Sequence, residues 1–241
     1  MTDTTMRAER LAPPRLVLAD GTVEGLKWLA LLIMTGDHVN KYLFNDTLPV
    51  LFELGRLALP TFVFILAYNL ARPGQFERGT YTRAMTRLAV FGALASVPFI
   101  ALGDLYAGWW PLNVLFTLLT LTATLYLVER GNLVAAGAVF LVGGSSVEFW
   151  WPAIILGVAV WCYCKRPTWT AAAVALLACA ALWFINGNLW ALAALPLLLG
   201  ATRLDLRVPR LRWAFYAYYP LHLGVLWLIR IPMSHAGYLF F

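Results

Sequence analysis

From end to end, the chain alternates apolar runs with short polar connections. A helix that crosses a bilayer needs about 20 mostly apolar residues, and a lipid-facing segment must satisfy its own backbone hydrogen bonds. The pattern therefore predicts an all-α, polytopic transmembrane helical bundle of about nine helices, with eight to ten as the range. The predicted helices cover residues 26–44, 48–71, 84–102, 111–128, 133–142, 149–164, 168–185, 189–201 and 214–231. The fifth and the eighth predicted helices are shorter than the length needed to cross a bilayer.

Composition agrees with a membrane protein. Of the 241 residues, 61% are hydrophobic and 12% are charged, and the mean hydropathy is +0.74. In a water-soluble domain about a quarter of the residues are charged, so the low charged fraction argues against an ordinary soluble domain. The high hydrophobic fraction excludes a disordered chain. The net charge of +6 then indicates basic helix ends at the cytoplasmic surface, and we expect no nucleic-acid partner. The cysteine spacing suggests no metal site.

The positions of the basic residues predict the orientation of the bundle. Most of the 18 lysines and arginines fall in every second connection of the nine-helix scheme, and such connections face the cytoplasm. We therefore expect a cytoplasmic N-terminal tail over residues 1–24 and a single transmembrane domain over 25–241. The basic connections carry Arg7, Arg10, Arg15 and Lys27, then Arg72, Arg78, Arg83 and Arg87, then Arg130, then Lys165 and Arg166, and finally Arg203, Arg207, Arg210 and Arg212.

Polar residues inside the predicted helices are the first candidates for function. An ionisable group in hydrocarbon costs several kcal/mol or requires a water-filled cavity, so it marks a functional site by default. With the predicted orientation, most of these residues lie in the outer half of the bundle, which predicts an outward-facing cavity with His222 at its floor. The set comprises Asp37, His38, Asn40, Lys41, Glu53, Arg56, Asn113, Thr117, Glu148 and His222.

Spacing on the helices limits which of these residues meet. Asp37 and His38 are adjacent, so they point about 100° apart and do not face each other. We expect His38 to meet a carboxylate from another helix, such as Glu53 or Glu148, and to act as a general base. The alternative, for His38 and for His222, is a buried histidine that hydrogen-bonds two helices together. Glu53 and Arg56 share one helix face. They form either a neutralising pair, or Arg56 faces a different anion.

Four segments of the chain together resemble the TraX family of conjugation proteins, which is named for the enzyme that acetylates the N-terminus of F-type pilin. The combination of an Asp-His helix, a Gly-Arg helix and a Tyr-Pro-x-His helix carries this resemblance. The four segments are GLKWLALLIMTGDH at 25–38, GRLALPTFVF at 55–64, NVLFT at 113–117 and FYAYYPLH at 215–222.

The resemblance implies an inner-membrane enzyme that matures a conjugative pilin, with membrane lipid as its surroundings and acetyl-CoA as donor substrate. The residues that match the family's polar motif positions are Asp37, His38, Arg56 and His222, and Glu53 and Glu148 complete the expected catalytic set. Arg83, Arg87, Arg210 and Arg212 are expected to hold the donor's phosphates, and Asn113, Thr117 and Tyr219 to contact the substrate. Two alternatives stay open: head-to-tail cyclisation of the pilin by the same site without acetyl-CoA, and a non-enzymatic chaperone or scaffold for pilin.

Overall fold

A computed structural model describes residues 13–103, 105–211 and 213–240 of the chain. The fold is all-α. Its helices are α1 Asp20–Phe44, α2 Pro49–Gly55, α3 Ala58–Ala71, α4 Thr80–Leu102, α5 Val114–Glu129, α6 Leu133–Ser146, α7 Trp150–Lys165, α8 Trp169–Ala181, α9 Trp183–Asn186, α10 Ala194–Ala201 and α11 Ala214–His235, with a 3₁₀ helix at Trp190–Ala193 before α10.

Every predicted segment contains at least one of these helices, which confirms the all-α prediction. Three predicted segments are each interrupted: the second contains α2 and α3, the seventh contains α8 and α9, and the eighth contains the 3₁₀ helix and α10. Among the described residues, three stretches are long and apolar enough to cross a membrane, namely Pro49–Ala71, Thr80–Leu102 and Trp169–Asn186. The first helix begins at Asp20, earlier than predicted, and residues 1–12 of the predicted tail lie outside the described residues.

The interruption between α2 and α3 has a cause in the sequence. Pro60 stands in the first turn of α3, and a proline ring clashes with the carbonyl of the residue four positions earlier, which here is Arg56. The regular helix therefore stops at Gly55 and resumes at Ala58, which leaves Arg56 in the break. This break places the Arg56 side chain where it can leave the helix surface and meet α1.

Six helices form a closed ring. In this ring α1 packs against α11, α11 against α4, α4 against α5, α5 against α7, α7 against α3, and α3 against α1. Apolar side chains fill the contacts in two clusters, one centred on α3, α5 and α7 and the other on α1, α4 and α11. The interior of the ring is the part of the molecule where side chains of distant sequence segments converge.

A buried polar network joins α3, α4 and α7 at one end of the ring. The Tyr81 hydroxyl donates to the Leu70 carbonyl oxygen at 2.9 Å and accepts a hydrogen bond from Trp161 Nε1 at 2.9 Å. Nearby, Lys165 forms an ion pair with Glu129. Because buried polar atoms are costly to leave unpaired, this network fixes how the three helices meet.

Candidate functional site

A cavity of about 940 Å³ lies inside the ring of helices. On α1 its wall extends from Lys27 to Lys41, and at 1.5 Å per residue these positions are about 21 Å apart. One end of the cavity is strongly basic and the other end contains His38 with several ionisable side chains. Apolar side chains such as Leu88 and Leu118 also line the cavity. The cavity therefore extends further than the outward-facing pocket that the sequence predicts.

At the second end, two histidines from opposite ends of the chain form a hydrogen-bonded pair. His38 Nδ1 lies 2.7 Å from His222 Nε2, and His222 Nδ1 lies 3.0 Å from the carbonyl oxygen of Tyr218. A carbonyl oxygen only accepts, so His222 Nδ1 carries a hydrogen and its Nε2 in the neutral ring is an acceptor. His38 Nδ1 must then donate, which leaves the lone pair of neutral His38 on Nε2.

Packing holds the two imidazole rings in place. They are inclined by only 9° to each other, and the rings of Tyr42 and Tyr219 contact His38 edge-on at centroid distances of 5.6 and 6.2 Å. His222 is buried, whereas half-buried His38 lines the cavity. The arrangement presents one imidazole to the cavity and uses the other as its support.

Asp37 and Arg56 form an ion pair beside the histidines. Arg56 Nη2 donates to both carboxylate oxygens of Asp37, at 2.6 and 2.5 Å. The other guanidinium nitrogens also have partners, since Nε donates to the Phe52 carbonyl at 3.1 Å and Nη1 to Asn186 Oδ1 at 3.4 Å. Arg56 thus pairs with Asp37 on α1 and not with Glu53 on its own helix, so the structure shows a neutralising pair, but with a different carboxylate from the one that the sequence offered.

Gly55 allows this ion pair to form. A Cβ atom added at Gly55 would lie 2.4 Å from Asp37 Cβ and 2.7 Å from Asp37 Oδ1. No real Cβ tolerates such distances, so the backbone of α2 reaches the Asp37 side chain only because residue 55 has no side chain. The Gly-Arg dipeptide therefore has a geometric reason: the glycine permits the approach and the arginine that follows forms the pair.

Glu148 brings a second carboxyl group to the cavity. It lies in the connection between α6 and α7, where its amide donates to Leu112 O at 2.8 Å and its carbonyl accepts from Thr117 Oγ1 at 2.7 Å. Burial raises the pKa of the Glu148 carboxyl to about 7, against the opposing effects of the Lys41 charge and the Val114 amide. Near neutral pH this carboxyl can therefore both accept and release a proton.

The structure brings together most of the predicted catalytic residues. The cavity wall includes Asp37, His38, Arg56 and Glu148 of the predicted catalytic set, and also Tyr219, a predicted substrate contact. His222, predicted at the cavity floor, is not among the described residues that line it. The predicted carboxylate partner of His38 is wrong, because α11 packs against α1 and places His222 within hydrogen-bond distance instead.

Other predicted site residues lie elsewhere. Glu53 is not among the described residues that line the cavity, and neither are Asn113 and Thr117. The Asn113 side chain caps α5 through Leu115 N at 3.1 Å and donates to Gly92 O on α4 at 2.9 Å. Together with the Thr117 bond to the Glu148 backbone, these contacts give both side chains a role in positioning α5 in the ring.

The basic end of the cavity contains the arginines that the sequence associates with a donor. Arg83, Arg87 and Arg210 all line it, whereas Arg212 lies outside the described residues. The guanidinium of Arg87 stacks on the rings of Trp213 and Tyr216, at 4.5 and 5.7 Å from their centroids. This stacking orients a cation at the cavity wall.

Two further residues of the cavity wall were outside the predicted catalytic, donor-binding and substrate-binding sets. Lys41 lines the end that contains His38, and Arg78 lines the basic end. For Lys41 a signal was present, since residues three apart share a helix face and Lys41 follows His38 at that spacing.

Comparison with known proteins gives one broad match. The family model described as TraX protein matches residues 22–230. A curated protein of Rickettsia prowazekii (strain Madrid E), "Uncharacterized protein RP591", is 32% identical over 72 residues, which is 30% of this chain. The chain covers only 25% of the length of that relative. No solved structure matches.

Proposed function

The chain belongs to the TraX family, and from that premise we propose that it is a membrane-embedded enzyme that acetylates a conjugative pilin. The proposed reaction transfers an acetyl group from acetyl-CoA to the free N-terminal amine of the pilin. The proposed setting is the bacterial inner membrane, with nine membrane segments, the N-terminus in the cytoplasm and the His38 end of the cavity towards the periplasm.

The observation that carries this proposal is the cavity itself. One continuous space connects a cluster of arginines with a histidine whose lone pair is fixed on Nε2. Lys27 at the basic end and His38 are about 17 Å apart along α1 at 1.5 Å per residue. A donor that carries phosphates on one side and a thioester on a long flexible arm matches this layout, because the phosphates can bind arginine while the thioester reaches His38.

The acceptor is proposed to approach from the end that contains His38. An amine attacks a thioester only when it has lost its proton, so the site needs a base near neutral pH. His38 Nε2 supplies that base, and the hydrogen bond from its Nδ1 to His222 holds the required tautomer. Glu148 is a second proton acceptor in the same cavity, whereas Asp37 is engaged by Arg56.

The intact mass of the pilin tests this function. Pilin purified with and without this protein should differ by one acetyl group, and His38→Ala should abolish the difference while the protein stays folded. The matched control is His235→Ala, since His235 is exposed at the end of α11 and does not line the cavity. Acetylation by the His38→Ala protein would contradict the proposed role.

The same measurement distinguishes the two other candidates. A pilin that loses one water, relative to its linear chain, would identify head-to-tail cyclisation by the same base. Unchanged pilin mass together with lower pilin levels in the deletion strain would identify a scaffold. Acetylation and cyclisation both require His38, so its substitution separates either enzyme from the scaffold.

A further inference from the structure

A side chain from outside the six-helix ring reaches the cavity. Asn186 is the last residue of the short helix α9, where its backbone N–H donates to the Leu182 carbonyl at 2.9 Å. Gly187 follows in the left-handed conformation, with a φ of 68°, and ends the helix. Asn186 is only 6% exposed and nevertheless lines the cavity. This backbone therefore holds a buried amide side chain at the cavity wall, although Asn186 was not among the predicted site residues.

Arg56 determines which way the Asn186 amide points. Arginine only donates hydrogen bonds, and Arg56 Nη1 lies 3.4 Å from Asn186 Oδ1. The guanidinium is itself held, because Nη2 donates to both oxygens of Asp37 and Nε donates to the Phe52 carbonyl. Its central carbon also lies 4.2 Å from the centroid of the Phe52 ring. Because the amide oxygen faces this fixed guanidinium, the amide nitrogen points to the other side.

The Asn186 amide nitrogen has two N–H groups, and no hydrogen bond within the described part of the chain uses either of them. Among the described residues, the buried side-chain atoms that lack a partner are Glu24 Oε2 and Asn45 Oδ1, so Asn186 Nδ2 keeps some contact with open space. The open space beside Asn186 is the cavity. An unpaired donor in a protein interior calls for a partner from outside the chain, such as a water or a ligand. The two N–H groups are therefore available to a molecule bound in the cavity.

Asn186 and His38 lie at the same end of the cavity. Asn186 and Asp37 contact neighbouring nitrogens of the Arg56 guanidinium, and Asp37 directly precedes His38 on α1. The lone pair of His38 is on Nε2, because its Nδ1 donates to His222. This end of the cavity therefore presents a base and a neutral hydrogen-bond donor, each of them oriented by a neighbouring side chain.

Transfer of an acetyl group requires a donor of this kind. When an amine attacks a thioester, the carbonyl π electrons move to oxygen and form an oxyanion. A preorganised hydrogen-bond donor at that oxygen, such as an asparagine amide, is worth roughly 10²–10³-fold in kcat. A neutral amide stabilises the oxyanion without adding a charge to the interior, where an uncompensated charge is costly.

We propose that Asn186 is the catalytic residue that stabilises the oxyanion and that Arg56 orients its amide, an inference that rests on the proposed acetyl transfer. The amine nitrogen forms a bond to the thioester carbonyl carbon, the π electrons move to the oxygen, and His38 Nε2 takes the amine proton. An N–H of Asn186 Nδ2 donates to the resulting oxyanion. The C–S bond then breaks as the carbonyl re-forms, and the thiolate leaves and takes the proton from His38.

The test measures kcat and KM of Asn186→Asp and Asn186→Ala in the full-length protein reconstituted in lipid nanodiscs. Acetyl-CoA is the donor, and a membrane-inserted pilin with a free N-terminus is the acceptor. Asn186→Asp keeps an oxygen for Arg56 and loses the N–H groups, whereas Asn186→Ala loses both and adds no charge. We expect each variant to lower kcat by roughly 10²–10³-fold with little change in KM. If Asn186→Ala does not fold, Asn186→Leu, which refills the volume, takes its place.

Asn188→Asp is the matched control. Asn188 lies two residues further along the chain and is not among the described residues that line the cavity. Its Oδ1 accepts from the Trp190 backbone N–H at 3.1 Å, a contact that aspartate keeps, so we expect the kcat and KM of the wild type. Turnover is expressed per protein molecule that binds a thioether analogue of acetyl-CoA, so that unfolded protein does not count as lost activity.

Each pattern of results decides the matter. Loss of kcat in both Asn186 variants, with wild-type kcat in Asn188→Asp, supports the assignment. Loss in Asn186→Ala alone would show that the residue only supports Arg56, and loss in Asn186→Asp alone would show an effect of the added charge; either result overturns it. A kcat within about threefold of wild type in both variants, or a raised KM with unchanged kcat, also overturns it, as does equal loss in the control. If the wild-type protein adds no acetyl group, the proposed function itself fails, whereas acetylation by the wild type and both variants alike refutes this inference alone.

Discussion

The hydrogen bond of 2.7 Å between His38 Nδ1 and His222 Nε2 joins residues separated by 184 positions in the chain. It makes the imidazole at the cavity wall dependent on one that never reaches the cavity. The Tyr218 carbonyl fixes the hydrogen on His222 Nδ1. The hydrogen bond from His38 Nδ1 to His222 Nε2 then determines the tautomer of His38. The two histidines therefore differ in position, since His38 lines the cavity and His222 holds it from the neighbouring helix.

Replacing His222 should reduce activity without removing the base. In His222→Ala, His38 loses its hydrogen-bond acceptor and both tautomers become available, so we expect kcat to fall by about tenfold or more. KM should change little, because His222 is not part of the cavity wall. The measurement is steady-state pilin acetylation, with His235→Ala as the control. Wild-type kcat in His222→Ala would show that the pair has no role in the reaction.

Breaking the Asp37–Arg56 pair should destabilise the fold. Arg56→Met leaves the Asp37 carboxylate buried without its partner, and we expect a loss of about 3–5 kcal/mol. Adding Asp37→Asn to this variant removes the stranded charge, so the double variant should be more stable than Arg56→Met alone. Denaturant unfolding in micelles measures all four proteins of the cycle. Additive effects of the two substitutions would contradict a direct pairing.

A methyl group at Gly55 should disturb the same contact. Gly55→Ala places a Cβ 2.4 Å from Asp37 Cβ, and overpacking of this kind costs about 1–3 kcal/mol. Gly137→Ala is the matched control, since a Cβ at Gly137 in α6 meets nothing within 4 Å. That change should raise stability by up to about 1 kcal/mol, because alanine favours helix. Thermal unfolding of both variants checks the contrast, and equal melting temperatures would argue against the close approach.

The Glu148 carboxyl should make stability depend on pH. Its pKa rises from an ordinary 4.5 to about 7 in the folded protein, so between these values the folded state keeps a proton that the unfolded chain has released. Stability from this group is complete below about pH 4.5 and declines as pH rises through 7. Glu148→Gln has no such proton to lose, so its melting temperature should fall less between pH 5 and about 8 than that of the wild type. Parallel curves for the two proteins would contradict the raised pKa.

Local patterns were sufficient for the helices and for the candidate residues. Long apolar runs predicted the helical segments, because a helix is the form in which such runs satisfy their backbone. The break at Arg56 was also readable, since Pro60 acts on the carbonyl four residues earlier. The single helix predicted over residues 48–71 did not include this break, although its signal is local.

The same local patterns did not predict which side chains contact each other. Spacing showed that Asp37 and His38 point in different directions, but it did not show what each one meets. His38 was expected to meet Glu53 or Glu148 and meets His222, because helix α11 lies beside α1. Asp37 pairs with Arg56, and the two helices come close enough for this because Gly55 has no side chain.

By itself, then, the sequence determined that the chain is helical, which stretches are apolar and which ionisable residues lie within them, since these depend on neighbours along one helix. Only the tertiary structure decided that α1, α11, α4, α5, α7 and α3 form a ring around one cavity. It also decided that His38 and Lys41 share one end of that cavity while Arg83, Arg87 and Arg210 share the other. Helix packing depends on shape matches between segments far apart in the chain, and apolar runs of similar composition do not specify which of them become neighbours.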